Sequence, residues 1–338
     1  MALCFAVKED KEELKELWKK GFGDSSSFTD WFFRERFLPQ NTAVIKEEGK
    51  IVSMAFYTLF DVGLAGYKIP VAFLSGVYTV PEKRGRGYMK KTVTALENAA
   101  RKNGEELILE TPAIFDLYRS FGHKYVAFAD KKTFSPIKKE ALTHIDFYKF
   151  LPEMMELYNK MHSRHSLMVI RNEKLFTSRF NDYFSDGAYI TGTFKNGKLT
   201  SYAAVYETKS KLYVPECIYE ASPNDIITLL RSAGKQVEIK LPGSSPSVSG
   251  DILNAEKFLA RFNLPFSFEI SGSLLDENNG IFSLDKASHA PCLKAKSADI
   301  LKLVCNSDKN GILFNSEKAK KAVFSAFKNN NCFTVEEY

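Results

Sequence analysis

The sequence has few cysteines and tryptophans and no long hydrophobic segment. Of its 338 residues only five are cysteine and two are tryptophan, and the cysteines have no CxxC or Cys/His spacing. This pattern argues against a disulfide framework and a zinc site, and it favours a reduced compartment. No apolar run approaches the ~20 residues of a membrane helix, and no secretory cleavage pattern follows the N-terminus. We therefore expect a cytoplasmic protein without a membrane partner.

The charge is balanced rather than one-sided. There are 47 Lys and Arg against 41 Asp and Glu, a net charge of +6, and 44% of the residues are hydrophobic. These values are ordinary for a globular protein of two or three domains and exclude disordered and fibrous classes. The small positive excess suits nucleic acid, a membrane or a phosphorylated cofactor equally.

Hydrophobic periodicity predicts a first α/β unit up to Phe128. Apolar residues at helical or alternating spacing indicate, in order, a strand, an amphipathic helix, a three-stranded meander, a long helix that ends at Gly104, the buried strand "ELILE", a short helix after Pro112 and a last strand. The predicted strands of the meander are 42–45, 51–59 and 67–80.

A repeat predicts a second copy of this unit. "GKIVSMA" at Gly49 recurs as "GKLTSYA" at Gly197, an offset of 148 residues, and a third strand, a helix capped by Gly234 and the strand "VEIKL" follow in the same order. The turn-rich "PGSSPSVSGD" from Pro242 to Asp251 suits a loop or an interdomain junction. Two strands around an Asn-Gly turn and the helix "SADILKLV" predict a small third domain after it.

A glycine turn lies between the third strand and the long helix of the first unit. "VPEKRGRGYMKK" places Gly85 and Gly87 among cationic residues, directly before a helix. Glycines let main-chain N–H groups converge on an anion, and a helix N-terminus adds its positive dipole, so a pyrophosphate would fit. The Walker pattern and the third glycine of the dinucleotide fingerprint are absent. A simple basic turn remains the alternative from spacing alone, and a DNA-binding arm is disfavoured because the turn is wedged between buried elements.

These residues resemble a known superfamily. "GVYTVPEKRGRGYM" is similar to the acyl-CoA pyrophosphate loop of GNAT acyltransferases, with Arg84 and Gly87 at the matching positions and Met89 where glycine or alanine is usual. The doubled unit, the loss of the glycine turn from its second copy, and the segments "LWKKGFGDS", "YRSFGHKY" and "NNGIFSL" resemble the enhanced intracellular survival (Eis) family. That family combines tandem GNAT units with a sterol-carrier-like C-terminal domain.

The resemblance implies an α/β (α+β) fold with mixed, mainly antiparallel sheets. It implies a catalytic GNAT domain at 1–132, a degenerate one at 133–252 and a small sterol-carrier-like domain at 253–338. The implied co-substrate is acetyl-CoA, without a metal. Its thioester arm would lie along the third strand and its pyrophosphate in the turn, which makes the implied cofactor-binding residues Val77, Thr79, Arg84, Gly85, Arg86, Gly87, Tyr88, Met89 and Lys90.

The resemblance also implies the catalytic groups. Tyr118 of "LYRSFG" corresponds to the general acid, and the carboxylate of Tyr338, at the end of "CFTVEEY", corresponds to the base that accepts the amine proton. Asp24, Glu337 and the neighbouring Glu336 are candidates to attract a cationic amine. His123 resembles an aromatic position of the family and is given no catalytic role.

The remaining histidines point to no further chemistry. His162 and His165 are three residues apart, but no Cys, Asp or Glu cluster completes a metal site, and we interpret both as surface residues. No Ser/His/Asp or Cys/His constellation is recognisable, so direct transfer in a ternary complex is the simpler mechanism.

We therefore predict an acetyl-CoA-dependent N-acetyltransferase acting on a primary amine of a small molecule or a lysine side chain. Neither nucleic acid nor a membrane is an expected partner, and the family association suggests a homo-oligomer. Two alternatives stay open: a non-catalytic acyl-CoA-sensing or lipid-binding protein, and an N-acyltransferase for longer acyl chains.

Overall fold

The structure, a computed structural model, describes residues 1–262, 267–273, 275–282, 293–305, 312–327 and 332–333. The chain divides into two compact units. The first comprises Met1–Ala127 and Pro246–Cys332, and the second comprises Phe128–Ser245 together with Phe333. The three predicted domain boundaries remain a prediction.

The first unit begins with the predicted strands and helices. The elements of this part are β1 (Ala2–Phe5), α1 (Lys11–Phe22), α2 (Ser26–Glu35), β2 (Thr42–Glu47), β3 (Lys50–Leu64), β4 (Tyr67–Thr79), α3 (Tyr88–Asn103), β5 (Leu107–Glu110), α4 (Phe115–Arg119) and β6 (Lys124–Phe134). β1 to β4 form an antiparallel series, and β4 then pairs with β5 in parallel. The sheet is therefore mixed but mainly antiparallel, as predicted.

The second unit repeats this order. Its elements are α5 (Phe147–His162), α6 (Glu173–Ser185), β7 (Tyr189–Lys195), β8 (Lys198–Glu207), β9 (Lys211–Tyr219), α7 (Asn224–Arg231) and β10 (Gln236–Ile252). The β2–β3 register shifts after Ile45, and the β7–β8 register shifts after Thr193, at the offset that separates Gly49 from Gly197. A shared bulge position supports the duplication, because a bulge sets the local bend and twist of a hairpin.

The C-terminal part adds a second, smaller sheet. Its elements are α8 (Ala255–Ala260), β11 (Phe268–Ile270), β12 (Gly280–Phe282), β13 (Leu293–Ala295), α9 (Ser297–Val304), β14 (Leu313–Phe314) and α10 (Glu317–Ala326). The strand order is β12-β11-β13-β14. The two predicted strands are β11 and β12, which pair antiparallel, but Gly280 of the predicted Asn-Gly turn begins β12 and pairs with Ile270. Among the described residues, no helix is both long and apolar enough to cross a membrane.

The sequence prediction for "PGSSPSVSGD" was right about a junction and wrong about a loop, because the boundary between the two units lies at Ser245 and Pro246 but the backbone is extended. These residues form the second half of β10, which passes from the second unit into the first and pairs antiparallel with β5 from Ser249 to Ile252. The Asp130 carboxylate accepts hydrogen bonds from the main-chain N–H groups of Ser244 and Ser245. Tertiary pairing and this side chain satisfy the backbone polar groups, and so override the turn preference of Gly, Ser and Pro.

Gly250 provides a test of this pairing. A Cβ at Gly250 would lie 2.2 Å from the carbonyl oxygen of Ile108 on β5, whereas a Cβ at Gly66 would contact nothing within 4 Å. We expect Gly250→Ala to lower the free energy of unfolding by about 3 kcal/mol, because the strands must shift. The control Gly66→Ala, which bears only the strain of φ +83°, should lose about 1 kcal/mol. Urea unfolding measures both, and equal losses would contradict the β5–β10 pairing.

Candidate active site

The end of β4 has an open main-chain edge. β4 pairs with β3 along its length, but its pairs with β5 are limited to Val71, Ala72 and Phe73. Because β5 ends at Glu110, the main chain from Leu74 to Thr79 has a strand partner on the β3 side alone, within the part of the chain that the structure describes. Main-chain N–H and C=O groups on the other edge are therefore available to a ligand, except the carbonyl of Thr79, which accepts a hydrogen bond from Arg84.

Gly76 bends β4 at this edge. It has φ +57°, and a Cβ there would lie 2.3 Å from the Trp18 ring and 2.6 Å from the Phe56 ring. The β3–β4 register shifts at the same place, so the strand twists away from a regular path. The predicted residues Val77 and Thr79 follow this bend, and the Thr79 hydroxyl is hydrogen-bonded to the Ser53 hydroxyl at 2.9 Å.

The glycine turn between β4 and α3 has the shape of an anion site. Gly85 and Gly87 have φ +74° and +73°, and a Cβ at either position would point into open space. α3 begins at Tyr88, directly after Gly87, which has no side chain to cap the first N–H groups of the helix. Those N–H groups, with the positive end of the helix dipole, can receive an anion.

The cations of the turn fall into two groups. The Arg84 guanidinium donates from Nε to the Thr79 carbonyl oxygen at 3.0 Å and lies 5.8 Å from the centre of the Tyr78 ring. Arg86 and Lys90 are exposed and form no ion pair with any described residue. Arg84 therefore fixes the turn, whereas Arg86 and Lys90 keep their charges available to an anion.

Glu47, on β2, anchors the turn and was missed in the sequence. Its carboxylate accepts hydrogen bonds from the Lys83 ammonium at 2.6 Å and from the Tyr88 hydroxyl. These two bonds lower the pKa of Glu47, so the carboxylate stays charged at neutral pH. The Tyr88 ring packs on Ile45 and Val52, which leaves only the main chain of Tyr88 at the anion site.

Tyr118 shares a core cluster with one residue of β4 and one of α3. Val77, Met89 and Tyr118 pack against the same core cluster, although β4, α3 and α4 supply them separately. Burial, with a smaller effect of the Glu110 charge, raises the pKa of Tyr118, so its phenol stays protonated. Within the described ranges its hydroxyl has no hydrogen-bond partner. The first unit thus contains an open strand edge on β4, a protonated phenol, and a glycine turn whose N–H groups from Gly85 to Lys90 can receive an anion. We call this turn the anion cradle.

Of the predicted acceptor and base residues, Asp24 is among those that the structure describes. Asp24 follows the C-terminal turn of α1, and its exposed carboxylate accepts a hydrogen bond from the Trp18 indole at 2.8 Å. Tyr338, Glu337 and Glu336 lie outside the described residues.

His123 belongs to a buried polar cluster beside Tyr118. Its ring nitrogens lie 3.0 Å from carboxylate oxygens of Glu97 on α3 and Glu110 on β5. Both carboxylates were missed in the sequence. The signals were present, since Glu97 lies on the stripe that Val93 and Ala100 mark as the buried side of α3, and Glu110 ends the apolar strand β5.

The surface assignment of His162 and His165 was wrong. Both side chains are half-buried at the end of α5, and burial lowers the pKa of each. The His165 ring packs edge-on against Phe333, at 5.7 Å between centres. Both histidines therefore serve as packing residues. Each is neutral there, because burying a neutral imidazole costs less free energy than burying a charged one.

The second unit has lost the anion cradle. No glycine lies between the end of β9 at Tyr219 and the start of α7 at Asn224. In its core, Arg171 and Glu216 form a fully buried ion pair, to which Tyr202 donates a further hydrogen bond at 3.0 Å. The candidate chemistry is therefore confined to the first unit.

Comparison with known proteins agrees with this geometry. Residues 5–126 match the family model described as "Acetyltransferase (GNAT) domain". This protein is an acyltransferase. The match spans the first unit up to α4 and the start of β6, and thus includes the open edge of β4, the glycine turn and Tyr118. A search of the curated proteins found no match to this acyltransferase.

Solved structures resemble the acyltransferase over its whole length. A GCN5-related N-acetyltransferase from Anabaena variabilis has a TM-score of 0.80 at 15% identity, with 100% of both chains covered. A protein from Enterococcus faecalis, described as a probable N-acyltransferase, has 0.78 at 16%, covering 100% of this chain and 99% of its own. Eis1 from Mycobacterium abscessus has 0.73 at 12%, with 100% of both chains covered. At these identities the likeness establishes a GNAT-like fold.

Gly87 allows a direct test of the cradle. Gly87→Ala adds a methyl group beside the first N–H groups of α3, so we expect coenzyme A to bind about tenfold more weakly, a loss of about 1.4 kcal/mol. The control Gly187→Ala, in the second unit, has a comparable φ of +82° and an equally open surrounding. Calorimetry should detect weaker binding for Gly87→Ala alone. Equal affinities for both variants would exclude the turn as the anion site.

Proposed function

We propose that this protein is an acetyl-CoA-dependent N-acetyltransferase. The observation that carries the proposal is that one unit contains the open β4 edge, the glycine turn at the start of α3 and the half-buried Tyr118, which packs against the same core cluster as Val77 of β4 and Met89 of α3. The diphosphate of the coenzyme would bind the N–H groups from Gly85 to Lys90, with Arg86 and Lys90 supplying charge. The pantetheine arm would lie against the main chain at Val77 and Thr79.

The reaction proceeds by direct attack in a ternary complex. The neutral amine attacks the thioester carbonyl carbon, a C–N bond forms, and the tetrahedral intermediate then breaks its C–S bond. The departing thiolate takes the phenolic proton of Tyr118, whose raised pKa keeps it protonated until that moment. The ammonium proton of the intermediate passes to a base, and the phenol recovers its proton from solvent. No covalent enzyme intermediate is needed.

We assign the base and the acceptor contacts from the family resemblance. The carboxylate of Tyr338 would accept the amine proton, and Asp24 and Glu337 would attract a cationic primary amine, of a small molecule or a lysine side chain. The hydrogen bond from Trp18 fixes the Asp24 carboxylate without neutralising its charge, which supports this role. The same resemblance is the basis for proposing a sterol-carrier-like C-terminal part and a homo-oligomer, and the likeness to Eis1 along the full chain supports the shared fold.

A longer acyl donor is the second candidate. Ile114 is 61% exposed and Leu117 is 48% exposed, and both belong to the segment that carries Tyr118. Apolar side chains left in water beside the proposed thioester site would suit an acyl chain. Competition between acetyl-CoA and long-chain acyl-CoA distinguishes the two donors. A sensor without catalysis would bind coenzyme A thioesters and release no thiol with any amine.

Tyr118→Phe tests the general acid. We expect kcat to fall by about 10²- to 10⁴-fold, because the thiolate loses its proton donor, while the affinity for coenzyme A stays within about twofold. Thiol release with a panel of amines measures kcat, and the matched control is Tyr148→Phe, an exposed tyrosine of the second unit. Unchanged turnover in Tyr118→Phe would remove this residue as the acid.

Extension of the chain past Tyr338 tests the base. Two added glycines move the terminal carboxylate away from its proposed position, so we expect kcat to fall by about 10²-fold or more at neutral pH. The same glycines placed before Met1 serve as the control. Full activity of the extended protein would exclude the carboxylate of Tyr338 as the base.

A further inference from the structure

The Glu97–His123–Glu110 cluster joins three elements of the first unit. His123 Nε2 lies 3.0 Å from Glu97 Oε1, and His123 Nδ1 lies 3.0 Å from both carboxylate oxygens of Glu110. Glu97 is on α3, whose first turn forms the anion cradle, and Glu110 ends β5. His123 lies just after the segment that carries Tyr118. One imidazole ring therefore connects the cradle helix, the sheet and the acid-bearing segment.

The cluster is buried, and its two carboxylates raise the pKa of the histidine. His123, Glu97 and Glu110 are each no more than 3% exposed. Burial alone would lower the pKa of His123, but the charge and hydrogen bonds of Glu110, followed by those of Glu97, raise it well above its ordinary value. A protonated imidazole donates from both nitrogens, so each carboxylate receives a charge-assisted hydrogen bond.

Residues of β10 and α9 complete the surroundings. The Ser249 hydroxyl donates to Glu110, and the Ser297 hydroxyl donates to Asp251 at 2.9 Å. Burial raises the pKa of Asp251 to about 7, with the charge of His123 acting in the opposite direction. Lys124, the residue after His123, forms an ion pair with Asp299 of α9. Ser249 thus holds the Glu110 carboxylate, and the carboxylates on both ring nitrogens restrict the ring of His123 to one orientation.

Tyr118 is in contact with this fixed ring. The Tyr118 and His123 rings are stacked, with 6.2 Å between centres and 18° between planes. The segment 110–123 includes α4 and Tyr118. The hydrogen bond between Glu110 and His123 joins the two ends of this segment. Burying three charged groups costs desolvation free energy. We therefore attribute the triad to the fixed geometry that it gives to the three elements it joins.

We propose that His123 is a positioning residue for the proposed acetyl transfer: by binding Glu97 and Glu110 at once, it sets the Tyr118 phenol relative to the coenzyme cradle at the start of α3. The inference rests on the proposed function. His123 transfers no proton itself, since both of its nitrogens are engaged by carboxylates. A shift of the phenol by about 1 Å is enough to lower the rate about a hundredfold.

A double-mutant cycle between His123 and Tyr118 tests the proposal on the full-length protein. His123→Gln keeps a polar side chain but cannot bridge both carboxylates. We expect kcat to fall about tenfold to a hundredfold, while KM for acetyl-CoA changes less than about threefold. In the Tyr118→Phe background the same substitution should change kcat less than about twofold, because no acid remains to be positioned. His144→Gln, in the second unit, is the control and should leave kcat unchanged.

The possible results separate the two proposals. An unchanged kcat in His123→Gln, or an equal loss in both backgrounds, would overturn the positioning role and leave the acetyltransferase proposal intact. Unchanged turnover in Tyr118→Phe would also overturn the positioning role, because Tyr118 would not be the acid, whereas the acetyltransferase proposal fails only if the unaltered protein releases no thiol with any amine. If His123→Gln does not fold, as judged by urea unfolding, Glu97→Gln takes its place in the same cycle. Should neither variant fold, His123 is a purely structural residue and the inference is wrong.

Discussion

The early end of the β4–β5 pairing is the constraint on which the site depends. If β4 and β5 were paired along their whole length, their main-chain N–H and C=O groups would be hydrogen-bonded to each other. No ligand could then bind to the main chain of β4 on that side. Here β5 stops at Glu110 while β4 continues to Thr79, and Gly76 adds a bend that no other residue could adopt beside Trp18 and Phe56. The open edge leads into the glycine turn, so a single strand connects the proposed thioester and diphosphate positions.

Two groups of buried or half-buried polar side chains connect the elements around this edge. Glu47 ties the turn to β2 through Lys83 and Tyr88, and the triad around His123 ties α3 to β5 and to the Tyr118 segment. Both include charged side chains inside or near the core, where pairing is obligatory and geometry is therefore strict. The second unit buries charges too, in Arg171 and Glu216, but without the turn these serve its core alone.

The sequence predicted those features that have a local cause. Alternating and helical periodicity located β2 to β5 and α3, and the repeat at Gly49 and Gly197 anticipated the second unit. The spacing of Gly85 and Gly87 located the turn before α3, whose role as an anion site stays a prediction. Long-range features were not predictable in this way. "PGSSPSVSGD" has the composition of a loop, and only its partner β5 makes it a strand. Glu47 and Glu97 lack any motif, because their roles arise from side chains that are distant in sequence. The resemblance, not periodicity, pointed to Tyr118.

The central claim is that the first N–H groups of α3 receive a coenzyme diphosphate. A crystal structure of the protein soaked with coenzyme A tests it most directly. We expect diphosphate oxygens about 3 Å from the main-chain nitrogens between Gly85 and Lys90, with the pantetheine along β4 from Val77 to Thr79 and the sulfur near the Tyr118 hydroxyl. A coenzyme bound elsewhere, or a turn that stays empty at saturating coenzyme A, would contradict the account.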